Sequence, residues 1–231
     1  YLADYGDYNE KMSAEARFLR ALNYYYLLDE FGNVPFTTAI SSSNPARIER
    51  ADLYKWLVDE LKTNVEPKLG EPQPKTSATA GYGSVDKAAA WMLLARLYLN
   101  AEVYTGTADW ANAKLYAKKV IDSPYKLYTT KKGQWSAYQQ LFMGDNGESG
   151  ASVEAIFPIL QDGKTTTSYG TTLYLMAGSN DNSEHIKDAT TKGNNTTAGW
   201  AGNRMRPDLV QKFFPNNDAP NIGAYAMPAA A

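Results

Sequence analysis

One stretch near the start of the chain, from Ser13 to Pro35, limits most strongly what the protein can fold into. Its sequence, SAEARFLRALNYYYLLDEFGNVP, places apolar residues at the three- and four-residue spacing of an amphipathic helix. The residues of the predicted buried face are Phe18, Leu19, Leu22, Tyr25 and Tyr26. Ser13 can cap the first turn, Gly32 suits a left-handed position at the end, and Pro35 prevents continuation. The stretch therefore predicts one long helix with defined ends.

Three further segments show helical spacing and make the predicted fold mainly α. They run from about 51 to 65, from 84 to 104 and from 109 to 121. Their predicted inner residues are Leu53, Trp56, Leu57, Leu61 and Val65 in the first, Ala90, Leu94, Leu97, Ala101 and Tyr104 in the second, and Trp110, Ala113, Ala117, Val120 and Ile121 in the third. Small alanines between large residues allow helices to approach closely, and the succession of helix, short turn and helix is similar to a tetratricopeptide unit.

The later part of the chain lacks this periodicity. Residues 161–203 are rich in Gly, Ser, Thr and Asn, which predicts long loops, and loops of this length in a compact domain often bind ligands. The apolar run at 154–160 predicts a short strand. We therefore expect a tetratricopeptide-like scaffold of helical hairpins in residues 1–133. Residues 134–231 should form a loop-rich, irregular ligand-binding part of the same domain.

Composition excludes several classes of protein. The net charge of -2 and the pI near 5.5 do not provide the basic surface of a nucleic-acid-binding protein. No apolar run approaches the roughly 18 residues that a membrane-spanning helix needs. The chain has no cysteine, so disulfides, thiol catalysis and cysteine metal sites are excluded.

Residues suited to catalysis are sparse, so we do not expect an enzyme. His185, the only histidine, lies in the polar run NDNSEHIKD and is interpreted as a surface residue. The pairs Asp29-Glu30 and Asp59-Glu60 are adjacent on their helices and cannot face each other as glycosidase carboxylates must; both are expected on solvated helix surface. The segments at 145–148 and 180–184 could at most hold a calcium ion weakly at the surface. No cofactor is expected.

Four segments, in order, resemble the SusD/RagB family. They are EARFLRA with FGNVP in the first helix, AAAWMLLARLYLNAEVY followed by DWANAKLYAKKVIDSPYKLY, LFMGDNGESGASVEAIFPI at 141–159, and GWAGNRMRPDLVQKFFP at 199–215. The resemblance implies a non-catalytic, cell-surface-exposed outer-membrane lipoprotein. Such a protein would capture oligosaccharides for import through a partner SusC-like TonB-dependent transporter, with starch-type glucans the first expected ligand. A peptide-capturing RagB-like receptor and a tetratricopeptide-like adaptor for protein partners stay open as alternatives.

Neither end of the chain has the features of a natural terminus. Residue 1 is a tyrosine with no signal peptide or lipid-attachment cysteine before it, and the last residues are MPAAA. We therefore expect the chain to be incomplete at both ends. In that case it contacts the membrane only through an N-terminal lipid anchor that is not present here, and it lacks residues upstream of the first helix that the family's glycan site also uses.

The candidate binding residues lie in the loop-rich part. Sugars present flat C–H faces ringed by hydroxyls, so a receptor needs exposed aromatic rings flanked by amide or guanidinium groups. Two short segments, SYGTTLY and GWAGNR, combine these groups. Their candidate ligand-binding residues are Tyr169, Tyr174, Trp200, Asn203 and Arg204. The alternative is that Tyr174 and Trp200 pack in small clusters that hold the loops.

Overall fold

The structure is a computed structural model that describes residues 9–40 and 42–160, together with seven isolated positions (175, 176, 179, 202, 206, 209 and 212). Residues up to Leu160 belong to one compact unit and those from Gln161 to a second. The described part of the first unit is mainly helical, as predicted. Its only regular strands among the described residues are β1 (Val34–Pro35) and β2 (Arg47–Ile48), which pair antiparallel with Val34 opposite Ile48.

The first helix, α1 (Glu10–Phe31), begins earlier than predicted because Asn9 caps it by accepting a hydrogen bond from the Met12 N–H (2.8 Å). It ends at Gly32, whose φ of 72° agrees with the predicted glycine at the helix end. The predicted buried face is confirmed for Phe18 and Tyr25 but is wrong for Leu19 and Tyr26. The buried residues of α1 are Ala14, Phe18, Ala21, Tyr25 and Leu28. Leu19 and Tyr26 are about half exposed, because the small Ala14 and Ala21 let the neighbouring helices approach on the other side.

The long helices up to Ile121 pack in two pairs, α1 with α2 (Arg50–Glu60) and α3 (Lys87–Leu99) with α5 (Trp110–Ile121). Helix α2 continues as a π-helix (Leu61–Val65) and a 3₁₀ turn (Glu66–Lys68). Helix α3 is followed by the short α4 (Ala101–Thr105). The inner residues predicted for the segment at 84–104 are all buried: Ala90, Leu94, Leu97, Ala101 and Tyr104. None of the helices in the described part of the chain is long and apolar enough to span a membrane.

Helix α5 departs from its prediction in one respect. Trp110 and Ile121 lie at its two ends with their side chains mostly exposed. Ala113 is buried as predicted. Tyr116, which was not predicted, is also buried, and its ring stacks on Tyr98 of α3 with centroids 5.6 Å apart. Helical spacing alone therefore did not identify the residues of α5 that meet α3. The stacked pair of Tyr98 and Tyr116 forms that contact.

A charged cluster lies between α1 and α2, where the sequence predicted solvated surface. Glu60 is buried and accepts hydrogen bonds from Arg17 (2.8 Å) and Asn64 (2.7 Å), and it also pairs with Arg20. Burial by itself raises the pKa of the Glu60 carboxyl, but the hydrogen bonds from these three side chains outweigh it, so the pKa is lowered overall. The Glu60 carboxylate is therefore a structural contact between helices.

The chain from Asp122 to Leu160 is mostly irregular, with the short helices α6 (Ala137–Gln140) and α7 (Asn146–Ser149) and a 3₁₀ turn (Ala151–Glu154). The strand predicted at 154–160 is absent from these described residues. Glu154 instead accepts a hydrogen bond from the Tyr128 N–H (2.6 Å), and Phe157 packs edge-on against Phe18 of α1 (5.6 Å). The apolar run is thus explained by packing on α1 and not by pairing with another strand.

Candidate functional site

An open groove of about 480 Å³ runs along the outer side of α1, within the size range of small-molecule sites. Three parts of the first unit line it: Leu19, Leu22, Asn23 and Tyr26 from α1, Tyr82 and Gly83 from the loop before α3, and the four residues from Phe157 to Leu160. The α1 residues recur at three- and four-residue spacing and so project from one side of the helix. The floor of this groove is therefore formed by three residues that the sequence predicted as core: Leu19, Leu22 and Tyr26.

Contacts within the floor hold its polar group in place. The Asn23 side-chain amide donates a hydrogen bond to the Leu19 carbonyl oxygen (2.7 Å), which fixes the direction of the amide. Tyr26 is half exposed, and its ring packs against that of Tyr25 with centroids 5.5 Å apart. An aromatic ring and an amide thus stand side by side on a helix that is anchored in the core.

Two glycines shape the other wall. Gly83 has a φ of +86°, and a Cβ there would lie 2.8 Å from the Leu160 Cδ1 atom, so only glycine lets Leu160 close this end of the groove. Gly147 allows the Tyr82 hydroxyl to approach its backbone, since a Cβ at that position would lie 3.2 Å from the oxygen. The position of Tyr82 and Leu160 therefore depends on these two glycines.

Among the described residues that line the groove, none carries a charged side chain or an imidazole. Their polar groups are two phenol hydroxyls and one amide, set among apolar atoms. Such a surface can bind a neutral ligand that has both apolar faces and hydroxyls, as sugars do. It offers no carboxylate or imidazole for general acid–base chemistry.

A second, polar cleft of about 430 Å³ lies around Asp86 and Lys75. Asp86 is buried and accepts hydrogen bonds from the N–H groups of Ala88 (2.9 Å) and Gln73 (3.1 Å) and from the Tyr125 hydroxyl (2.7 Å). Burial, together with the bond to the Asp86 carboxylate, raises the pKa of the Tyr125 phenol. These bonds join the cap of α3 to two loops, so we interpret the cleft as structural.

The binding residues predicted from the sequence, Tyr169, Tyr174, Trp200, Asn203 and Arg204, lie outside the described residues and stay a prediction. The same holds for the calcium segment at 180–184. In the described part of the chain, no three acidic, histidine or cysteine side chains come together as metal ligands. Sequence reasoning missed the groove because it assigned Leu19, Leu22 and Tyr26 to the core. The available signal was that α1 is apolar on two sides, only one of which the core can cover.

No family model matches the chain. The chain is 43% identical over 216 residues to the starch-binding protein SusD of Bacteroides thetaiotaomicron, an alignment that includes 93% of this chain and 36% of the relative. The chain thus spans about a third of the length of this curated relative.

The chain is also similar to solved structures. A SusD-like protein from Bacteroides fragilis superposes with a TM-score of 0.52 at 18% identity, over 78% of this chain and 31% of that one. A SusD-like carbohydrate-binding protein from the same species matches 61% of this chain and 25% of its own length, at 29% identity and a TM-score of 0.48. The first of these comparisons indicates a shared fold.

Proposed function

Because this chain belongs to the SusD/RagB family, we propose that it is part of a non-catalytic cell-surface protein that binds oligosaccharides, with starch-type glucans as the first ligand class. The observation that supports the proposal is the 43% identity to a protein named for starch binding, which extends over 93% of the chain. Identity over so much of the chain includes both the helical scaffold and the loop-rich part.

The chemistry of the described surface agrees with a neutral sugar ligand. The groove along α1 combines the rings of Tyr26 and Tyr82 with the amide of Asn23, and none of its described lining residues is charged. Aromatic rings pack on the C–H faces of sugars, and hydroxyl and amide groups bond the sugar hydroxyls. In the proposal, Tyr169, Tyr174, Trp200, Asn203 and Arg204 supply the main binding site, and the groove offers further contact.

The proposed partner is a SusC-like TonB-dependent transporter in the outer membrane, which would import the captured oligosaccharide. An N-terminal lipid anchor would hold the whole protein at the cell surface. The helical hairpins would provide the docking surface, because paired helices present broad faces, and here Phe31 and Val103 remain exposed on α1 and α4.

Titration calorimetry with maltoheptaose tests the glucan proposal directly. Trp200→Ala should weaken binding about ten- to hundredfold, equivalent to roughly 1–3 kcal/mol, because a stacking ring is lost. Trp110→Ala is the matched control: its ring is exposed on α5, far in sequence from the candidate residues, and affinity should not change.

The opposing outcomes are distinct. If Trp200 is a core residue, Trp200→Ala should instead lower the free energy of unfolding by about 3–5 kcal/mol, which a denaturation curve measures. If the unaltered protein binds oligopeptides and no glucan, the RagB-like alternative replaces the glucan proposal. Binding of a protein partner with neither class of small ligand would favour the adaptor.

A further inference from the structure

A second aromatic surface lies away from the groove in sequence, on and beside the short helix α6. Trp135, Tyr138 and Phe142 occur within eight residues and are 43%, 70% and 73% exposed. The rings of Tyr138 and Phe142 are in contact, with centroids 5.1 Å apart and planes inclined by 61°. Exposed rings that lie in contact form a contiguous apolar patch, and such patches often mark interaction sites. We call these three residues the α6 aromatic patch.

The backbone beneath the patch is held firmly. Ser136 and Gln139 form a reciprocal capping box at the start of α6, with the Gln139 N–H donating to the Ser136 Oγ (3.2 Å). Lys132 and Trp135 exchange two backbone hydrogen bonds of 3.1 and 3.0 Å. The ring-bearing residues therefore start from an ordered backbone, so a ligand does not have to order it on binding.

A buried amide fastens the helix to the chain that precedes it. Gln140 is almost fully buried, and its Nε2 donates to the Thr130 carbonyl oxygen (2.7 Å). The Tyr128 hydroxyl donates to the Gln140 Oε1 (3.3 Å). With Gln140 turned inward, its neighbours Tyr138 and Phe142 remain directed towards solvent.

The stretch that carries the patch is uncharged, and the nearest charged residues in sequence are Lys132 and Asp145 at its two ends. The sequence from Gly133 to Gly144, GQWSAYQQLFMG, contains no acidic or basic residue. Its exposed polar groups are the amides of Gln134 and Gln139 and the hydroxyl of Ser136. Rings accompanied by neutral hydrogen-bonding groups match a neutral polyhydroxylated ligand.

We propose that the α6 aromatic patch is a second contact surface for neutral oligosaccharide, separate in sequence from the candidate residues at 169–204. The inference rests on the proposed glucan-binding function. Together the rings of Tyr138 and Phe142 offer an aromatic surface larger than one ring for stacking on the C–H faces of sugars. A long glucan that reaches both surfaces gains apparent affinity through multivalency, and a short oligosaccharide does not.

The test compares a polymer with a short ligand. Native gel electrophoresis of the full chain in amylopectin measures retention by the polymer, and calorimetry with maltoheptaose measures binding at the main site. We expect the double variant Tyr138→Ser, Phe142→Ser to lose at least about fivefold of its apparent affinity for amylopectin while keeping its maltoheptaose affinity within about twofold. Trp110→Ser is the matched control, since it removes another exposed ring, from α5, and retention should not change.

Three results would count against the inference. Equal retention of the double variant and the unaltered protein removes the patch from glucan binding and leaves the proposed function standing. A dimer that the double variant dissociates, seen by gel filtration, would make the patch a self-association surface. An unaltered protein that binds neither amylopectin nor maltoheptaose overturns the proposed function itself, and the inference with it. Circular dichroism melting of the double variant checks that it remains folded.

Discussion

Different interactions stabilise two regions of the chain: the helical part from Glu10 to Ile121 and the segment from Asp122 to Leu160. Buried residues of the helices are mostly aliphatic and aromatic, including Leu28, Leu57 and Leu94. Within the segment, three of the five buried residues are polar, and the complete set is Ser123, Tyr125, Gln140, Ala151 and Ser152. The helices are therefore held by apolar packing, whereas the segment combines directed hydrogen bonds with the packing of Ile156 and Phe157 on the core.

This difference predicts how a single substitution lowers stability in each region. Apolar burial is non-directional and shared among many neighbours, so each buried leucine adds to one common core. A buried hydrogen bond depends on two atoms, and removing one leaves the other without its partner. A substitution in the helices should therefore lower stability by removing apolar burial, and one in the segment by leaving a buried polar atom without its partner.

The largest effect is expected in the helices. Leu94 of α3 is fully buried, so Leu94→Ala should lower the free energy of unfolding by about 2–5 kcal/mol through lost burial and a residual cavity. Leu99 in the same helix is half exposed, and Leu99→Ala should cost less than about 1 kcal/mol. Urea denaturation of both variants measures the difference, and equal losses would contradict the assignment of this face to the core.

An intermediate effect is expected where the segment is tied to the helices. Tyr125→Phe removes the hydroxyl that donates to buried Asp86 (2.7 Å), and a bond to a charged group is typically worth about 1.5–3 kcal/mol. Tyr138→Phe is the control, because that hydroxyl belongs to a mostly exposed residue and should contribute within about 0.5 kcal/mol. Thermal unfolding compares the two. A loss near zero for Tyr125→Phe would mean that apolar packing alone holds the segment.

The smallest effect concerns the end of the segment. Gly83 and Gly106 have similar positive φ values of +86° and +80°, so alanine at either position should cost about 1–2 kcal/mol in backbone strain. Only at Gly83 would the new Cβ meet Leu160, and we expect an extra loss below about 1 kcal/mol as that leucine shifts. The difference between the two variants, measured by denaturation, isolates the contact of Leu160. Identical losses would show that Leu160 moves aside without cost.

Local sequence signals determined the helices and several of their ends. Gly32 ends α1, and the side chains of Asp86 and Asp109 cap α3 and α5 by accepting hydrogen bonds from the N–H groups of Ala88 and Asn112. A cap or a terminal glycine acts within one turn of the helix, so neighbouring residues are enough to predict it. The inner residues of α3 were predicted correctly for a related reason, since that helix is apolar enough to leave little choice of face.

The tertiary structure decided which face of α1 meets the core. Phe18 and Tyr25 lie inside, while Leu19, Leu22 and Tyr26 line the groove, although both sets have helical spacing. Periodicity shows that a face is apolar but not which neighbour covers it, and the small residues Ala14 and Ala21 settled the contact by allowing close approach. The groove could not be predicted for this reason.

The irregular segment was also decided by long-range contacts. The bonds from Tyr125 to Asp86 and from Gln140 to Thr130 join residues 39 and 10 positions apart, and neither leaves a periodic pattern in the sequence. What the sequence determined by itself was therefore the helices, whose hydrogen bonds close within four residues. Which helix faces meet, and where the segment after Ile121 is anchored, required the folded chain, because those choices depend on atoms that only folding brings together.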